Sequence, residues 1–295
     1  LSANPDVFEA IQKDIFKSGR DHYEKCGKEE KRNIRLSVSI SDAKKEKHSR
    51  IKPILRDDMD YIESDFLFDF LTDKLREQFN IIDTNKVSSN GYDGHAMELI
   101  NKYKDGIVLD CGSGKRPVYF ENVVNFEIVG YDTTDVRGVG EVLPFKDNSF
   151  DAVLSIAVLE HVKDPFQCAK EISRVLKPSG KLMCGVPFLQ PLHGYPHHYY
   201  NMTSQGIENL FSDFLQIDKK TVYGGMLPIG ALTWILRSWA GGLEGKTKVD
   251  FLNMKISELI NDPKKYLNTP FVTELSDNKN FELASGTVLF ATKPC

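Results

Sequence analysis

From residue 106 onward, short apolar runs bounded by Gly, Asp and Pro alternate with helical patterns. GIVLDCGSG reads as a buried strand ending in a glycine-rich turn, FEIVGYD as a second strand, and FDAVLSIAVLEHV as a third that runs into a helix. CAKEISRVLKPSG then puts Ile172, Val175 and Leu176 on one helical face, stopped by the Pro178 to Gly180 turn, and KLMCGVPF follows as a fourth strand. Strands joined by helical crossovers predict a parallel α/β sheet. QIDKKTVYG and GTVLFATKP are later strand candidates, separated by a mostly helical stretch that includes TWILRSWAGG. Upstream, Val7, Ala10, Ile11, Ile15 and Phe16 recur at helical spacing, and Tyr23 precedes Gly27 as a helix stop, which predicts a helical hairpin. Tyr61, Phe66, Phe68, Phe70, Leu71, Leu75 and Phe79 read as the apolar stripe of a further helical stretch over 60–80.

Residues 28–56 carry ten Lys or Arg against four Asp or Glu around a Ser-rich centre, and read as a partly flexible charged tether. The division that follows is a helical hairpin and linker over 1–56 and a larger domain over 57–295, with a helical insertion at about 224–280. A chain of 295 residues with 41% hydrophobic and 27% charged positions holds a sizeable core, which excludes a wholly disordered protein. The net charge of −4 supplies no cationic field to collect nucleic acid. No run of about 18 apolar residues occurs, so no transmembrane segment is expected; the reading is a cytoplasmic protein, with peripheral contact at the inner membrane surface allowed. Five cysteines without a CxxC pair read as reduced thiols, not a disulfide framework or a zinc knuckle.

The most informative chemistry is Val108-Leu109-Asp110-Cys111-Gly112-Ser113-Gly114, where an apolar strand delivers the chain into a turn with glycine at alternate positions. Glycine permits tight geometry and lets a ligand approach main-chain NH groups without meeting a Cβ. About twenty residues on, Asp132 closes FEIVGYD, placed to accept hydrogen bonds from both hydroxyls of a ribose.

These segments resemble class I S-adenosylmethionine-dependent methyltransferases of the type 11 kind. VLDCGSG is similar to the family's nucleotide-binding motif, and GEVLPFKDNSFDAVLSIAVLEHVKDP followed by EISRVLKPSGKLMCGVPF resemble its next two strand regions in order. The resemblance covers roughly 95–225 plus the final strand. It implies a Rossmann-like fold, a seven-stranded, mostly parallel sheet of order 3-2-1-4-5-7-6 flanked by helices, and S-adenosylmethionine across the carboxyl ends of the strands. It further implies that Asp110, Cys111, Gly112, Ser113 and Gly114 lie beside the cofactor's amino acid portion. Asp132 and Thr133 would lie at the ribose, Glu141, Val142 and Leu143 along the adenine, and Ser155 and Ala157 beside the methionine part. Three departures stand out: Arg116 occupies the third motif glycine, Val139 replaces an acid that often meets the adenine amino group, and the connection from Asp132 to Leu143 is short for a full helix.

A second polar concentration, PFLQPLHGYPHHYYNMT, places His193, His197, His198, Tyr195, Tyr199 and Tyr200 within eight residues on a loop leaving the same sheet edge. O-methylation needs a hydroxyl held against the sulfonium and a base for its proton, and His serves near pH 7. His193 and His197 are the candidate bases, with His161 as a positioning or alternative base. A divalent metal held by His193 and His197 with Asp132 or Glu160 is a further reading, not the favoured one, so no metal ligand is assigned. Trp234 and Trp239 read as ordinary packing of the insertion or as a substrate lid.

NPDVFEAIQKDIFKSGRDHYEKCGKEEKR is similar to a short helical module that accompanies glycosyltransferases and surface-polysaccharide enzymes, and the His- and Tyr-rich loop resembles those of methyltransferases found with glycan assembly enzymes. Together these imply O-methylation of a sugar hydroxyl on a cell-surface glycan or its precursor, with glycosyltransferases as partners. The alternatives are a small-molecule or lipid methyltransferase, or a non-catalytic glycan-associated scaffold that retains the fold, for which Arg116 and Val139 speak. Oligomeric state is left open.

Overall fold

The computed structural model describes residues 7, 10, 11, 13, 15–17, 19–27, 40–84, 86–194 and 196–289. Among them seven strands form one sheet: β1 (Ile62–Ser64), β2 (Leu67–Asp69), β3 (Val108–Cys111), β4 (Val123–Glu127), β5 (Val136–Arg137), β6 (Phe150–Ile156) and β7 (Leu176–Gly185). Their spatial order is β1-β2-β5-β4-β3-β6-β7, and every neighbouring pair except β1 with β2 is parallel. The predicted fold, a mostly parallel seven-stranded sheet flanked by helices, is what forms, but with different edge strands. β5-β4-β3-β6-β7 reproduces the implied 3-2-1-4-5 run. The remaining two strands come from an N-terminal hairpin beside β5, not from the C-terminal segments.

That hairpin corrects the helical reading of 60–80. Phe66, Phe68 and Phe70 recur at period two, and Asp65 and Phe66 take φ of 46° and 60° to close the two-residue turn. Helix appears only from α2 (Asp73–Phe79), capped by Thr72, whose side chain accepts from the Leu75 amide. QIDKKTVYG is not a strand, and neither is Gly286–Leu289; the rest of GTVLFATKP lies outside the described residues.

The charged segment is also corrected, from Ile40 on. α1 (Ile40–Ile51) brings Ala43, Lys44, Lys47 and Ile51 onto one face and packs them against the sheet, and Ile51 and Leu55 join the main core. Lys47 is 2% exposed and its ammonium meets the Asp135 carboxylate, itself 1% exposed, at 2.8 Å. It also donates to the Val123 carbonyl and lies 3.6 Å from the centre of the Tyr119 ring. Lys44 donates to the Thr134 carbonyl at 2.6 Å. The positive charge that suggested a solvated tether is thus partly spent on the sheet's own carbonyls and carboxylate. Residues 28–39 lie outside the described residues, as do most of the first eighteen; Gly19–His22 and Tyr23–Gly27 are helical.

α3 (Gly94–Lys102) starts at Asp93, which accepts from the Ala96 amide, and covers one face of β3 and β6 through Ala96, Met97 and Ile100. α4 (Pro165–Val175) has Asp164 as its cap and Pro165 in its first turn, and buries Cys168, Ala169, Ile172 and Val175 on the other face. β7 begins directly after α4, and the expected turn survives as a bulge: pairing with β6 jumps from Phe150↔Leu176 to Ala152↔Lys181, with Ser179 at φ 63°. After α5 (Ser204–Phe211), residues 224–283 form short helices, chiefly α6 (Pro228–Gly241) and α7 (Gly245–Leu252), around a small core of Ala240, Leu243, Phe251 and Leu275. No helix among the described residues is long and apolar enough to cross a membrane.

Candidate active site

Because the central strands are parallel, Cys111, Glu127, Ile156 and Gly185 end on one edge, and the direction of strand order reverses at β3 between β4 and β6. Open α/β sheets place ligands at such an edge. The chain leaves β3 through Gly112 at φ 82° and Gly114 at φ 60°, values that favour glycine. A Cβ on Gly112 would come within 2.5 Å of the Val158 side chain, and one on Gly114 within 2.7 Å of the Ser88 carbonyl oxygen. The glycines are therefore required by local packing as well as by the turn.

Next to this turn stands Glu127. β4 covers Val123–Glu127, so the acid at the strand's carboxyl end is Glu127, not Asp132. The Glu127 carboxylate accepts from the Gly114 amide at 2.7 Å and from the Ile128 amide at 2.8 Å, and burial raises its pKa above the usual carboxylate range. Asp132 lies five residues beyond the strand, its side chain 55% exposed and paired with Lys115 at 3.3 Å. Asp132 is thus largely solvent-exposed, while Glu127 is the carboxylate in direct contact with the glycine turn. Thr133 is buried, and its hydroxyl accepts from the Arg116 amide.

Asp110 is fully buried and already partnered. Arg116 grips it in a fork, Nε to Oδ2 at 2.7 Å and Nη2 to Oδ1 at 3.0 Å, while the Tyr92 hydroxyl donates to Oδ2 at 2.5 Å. Arg116 also donates to the Asn90 carbonyl and lies over the Tyr92 ring. The departure from glycine at this position thus supplies the counter-charge for Asp110. Cys111 and Leu143 are core residues, and burial drives the Cys111 thiol pKa upward. Ser113 is buried with its hydroxyl on the Gly114 carbonyl. Val139 packs with Leu71 and Phe79, and Val142 lies against them. Glu141 is buried, accepts from the Lys163 and Asp164 amides, and has its pKa raised by burial. Ser155 is buried without a hydrogen-bond partner for its hydroxyl among the described residues, and Ala157, exposed at φ 55°, turns the chain out of β6.

The turn after β6 carries Glu160 and His161, and the loop after β7 carries the histidine run. The main chain clamps them together: the Tyr199 and Tyr200 amides donate to the Glu160 carbonyl, and the His161 Nδ1–H donates to the His197 carbonyl at 2.7 Å. His161, His193 and His198 form an edge-to-face cluster with ring centres 4.3 to 5.5 Å apart, and Trp234 of α6 stands 5.0 Å from His193. The side chain of His197 points elsewhere and donates to the Asn80 carbonyl, so of the two favoured bases only His193 joins the cluster. His198 is committed at both nitrogens, accepting from the His193 amide and donating to Asn201. Burial lowers the His161 pKa to about 4, which keeps its ring neutral, and raises the Glu160 carboxyl to about 7. Beside Trp234 lies a cavity of about 420 Å³ lined by Gln190, Gly225, Gly230, Thr233, Trp234 and Arg237. Trp239, in contrast, is structural: its indole donates to the Phe271 carbonyl. Tyr195 lies outside the described residues.

Residues 109–184 match the methyltransferase domain family. This stretch is therefore similar to methyltransferase domains. A demethylmenaquinone methyltransferase of Staphylococcus epidermidis is 27% identical over 187 residues, which is 50% of this chain and 77% of the relative. An uncharacterized protein of Methanocaldococcus jannaschii is 37% identical over 100 residues, covering 29% of this chain and 44% of that protein. Among solved structures, the YcgJ protein of Bacillus subtilis aligns with a TM-score of 0.32 at 18% identity, over 49% of this chain and 80% of that one.

S-adenosylmethionine is the cofactor that a methyltransferase domain implies, and the sheet edge suits it. A bare glycine turn, the Glu127 carboxylate at the next strand end and the unpartnered Ser155 hydroxyl are donors and acceptors of the kind an amino acid and a ribose require. Glu127 was not singled out from the sequence, where Glu160 was weighed only as a metal ligand. For Glu127 the signal was present, since VVNFE is itself an apolar run closed by an acid.

Proposed function

We propose that this protein is an S-adenosylmethionine-dependent O-methyltransferase whose acceptor is a sugar hydroxyl of a cell-surface glycan or its precursor. The observation that carries methyl transfer is the Gly112–Gly114 turn facing the Glu127 carboxylate inside the matched domain. Glu127 is the residue to hold the ribose hydroxyls, replacing Asp132 in that role. S-adenosylmethionine, when bound, supplies an electrophilic sulfonium methyl group whose sulfur leaves as a neutral thioether. The chain's part is to hold the acceptor hydroxyl and receive its proton. The Glu160, His161 and His193 group suits that task, since burial raises the Glu160 carboxyl to about 7 and holds the His161 ring neutral beside it, so the carboxyl takes up a proton near neutral pH.

The sugar acceptor is supported by the likeness of the N-terminal NPDV segment to modules of glycan enzymes, and by the cavity beside the cluster. There the Trp234 ring offers an apolar face, and Gln190, Thr233 and Arg237 offer hydrogen bonds, a combination that suits a polyhydroxylated ring. A glycosyltransferase partner at the inner membrane surface belongs to the same reading. A second reading, a quinone-like small-molecule acceptor, is favoured by the demethylmenaquinone methyltransferase relative and by the exposed Leu227, Ile229 and Leu232 at the start of α6.

Calorimetric titration with S-adenosylhomocysteine tests the first step, with one site per chain expected; a folded protein that takes up none removes the proposal. Methyl transfer from labelled donor onto glycan-lipid precursors and onto quinols in parallel then separates the two acceptors.

A further inference from the structure

We propose that Glu160, His161 and His193 bind one divalent first-row transition metal ion, of the zinc class, at the acceptor side of the sheet edge. One ligand atom from each of the three lies within 4.8 Å of the others. An ion held at about 2.1 Å from each draws them in by about 1 Å, which side-chain rotation supplies.

The hydrogen bonds around the rings argue for a cation here. A carbonyl only accepts, so His161 Nδ1, facing the His197 carbonyl, carries the hydrogen of the neutral ring. Its Nε2 is then a lone pair, and it faces the Glu160 Oε1 at 3.7 Å. His193 repeats the arrangement: its Nδ1 lies 2.8 Å from the Pro191 carbonyl, which leaves the lone pair on Nε2. Glu160 is 0% exposed, and neither carboxylate oxygen has a hydrogen-bond partner among the described residues. With Glu160 ionised, three acceptors converge with no donor between them, a costly arrangement for a buried carboxylate unless a cation completes it. Backbone carbonyls that fix imidazoles by their outer N–H are the usual outer shell of metal-bound histidine.

The donor set selects the class of ion. Two imidazole nitrogens and one carboxylate suit zinc, iron, cobalt or nickel, whereas calcium and magnesium favour all-oxygen sites. His198 is excluded as a ligand because both its ring nitrogens are engaged, with the His193 amide and Asn201, and His197 lies outside the group, its ring turned to the Asn80 carbonyl. Three protein ligands leave a coordination position open. Trp234 joins His193 to the cavity lined by Gln190, Thr233 and Arg237, so the open position suits an acceptor oxygen. The site follows from these side chains and does not depend on methyl transfer.

The test is titration of the full chain, freed of metal by a chelator and dialysed, with zinc sulfate, followed by elemental analysis. One ion per chain is expected, with at least 100-fold weaker binding in Glu160→Gln and His193→Gln and unchanged binding in the control His95→Ala. Cobalt(II) in place of zinc should give a visible ligand-field band that His193→Gln abolishes. Thermal melting and S-adenosylhomocysteine affinity establish that each variant is folded and keep this proposal separate from the cofactor reading. Substoichiometric uptake by the wild-type protein, or zinc affinity within threefold of wild type in folded His193→Gln, overturns the proposal.

Discussion

The carboxylate of Glu127 accepts the amide hydrogen of Gly114 at 2.7 Å, so the end of β4 is tied to the glycine turn at the end of β3. Because the half-buried carboxylate touches the turn, the proposed function has it exchange this contact for ribose hydroxyls. Asp132 is 55% exposed and pairs with Lys115 at 3.3 Å. Glu127→Ala should weaken S-adenosylhomocysteine by about 100-fold, the loss expected for two hydrogen bonds to a charged acceptor. Asp132→Ala should stay within about twofold. Calorimetry on the two variants decides, and the reverse ranking would return the ribose to Asp132.

Lys47 and Asp135 form a buried ion pair that fastens α1 to the sheet. Lys47→Met leaves Asp135 as a buried charge, which costs about 3–5 kcal/mol, and adding Asp135→Asn should recover much of it. Urea unfolding measures both. The pair also predicts a pH dependence. Burial lowers the Lys47 pKa from 10.5 to about 8, so between those values the unfolded chain binds the extra proton. This contribution to stability therefore rises with pH from about 8 to 10.5, and the rise should vanish in Lys47→Met. A mutant whose stability is unchanged would mean that the segment from Ile40 is a tether after all.

Arg116 stands where the resemblance expects glycine, and the glycine is better for approach to a ligand only if Asp110 has another counter-charge. Here the fork to Asp110 and the contact with Tyr92 make Arg116 part of the scaffold. Arg116→Gly should therefore destabilise the fold by about 3–5 kcal/mol, the cost of stranding a buried carboxylate, instead of improving cofactor binding. Thermal melts with and without S-adenosylhomocysteine distinguish the two outcomes.

How far the sequence carried can be judged from these same residues. β3 and its turn were legible because four consecutive apolar or buried positions run straight into glycines, and α4 because Asp164 and Pro165 mark its start. The end of β4 was not, since the apolar pattern continues through Ile128 and Val129 to a second acid. What fixes the strand end at Glu127 is pairing with β5, Phe126↔Val136 and Glu127↔Arg137, a tertiary contact that the apolar pattern itself does not show. The period of two in Phe66, Phe68 and Phe70 was visible, but Leu71, Leu75 and Phe79 extended it into an apparent helical stripe. Burial of Lys44 and Lys47 depends on carbonyls and an acid some ninety residues away, which local charge counting does not weigh. Likewise, the histidine run marked the loop, but only its folding onto the Glu160 turn separates His193 and His161 from His197.

Gly194 provides the sharpest test of that histidine geometry. It sits at φ 87°, and a Cβ there would lie 2.3 Å from His161 Cε1, so the loop passes the ring only because residue 194 has no side chain. Gly194→Ala should therefore displace His161 and also incur backbone strain of about 1–3 kcal/mol. Methyl transfer to whichever acceptor turns over should fall by about 10²-fold or more, in line with removal of a positioned acid or base, while S-adenosylhomocysteine affinity stays within about threefold. His197→Ala removes only an outward contact to Asn80 and keeps the carbonyl that orients His161, so its kcat should stay within about twofold. A large loss in His197→Ala together with full activity in Gly194→Ala would place the reacting side chain on the other face of the loop.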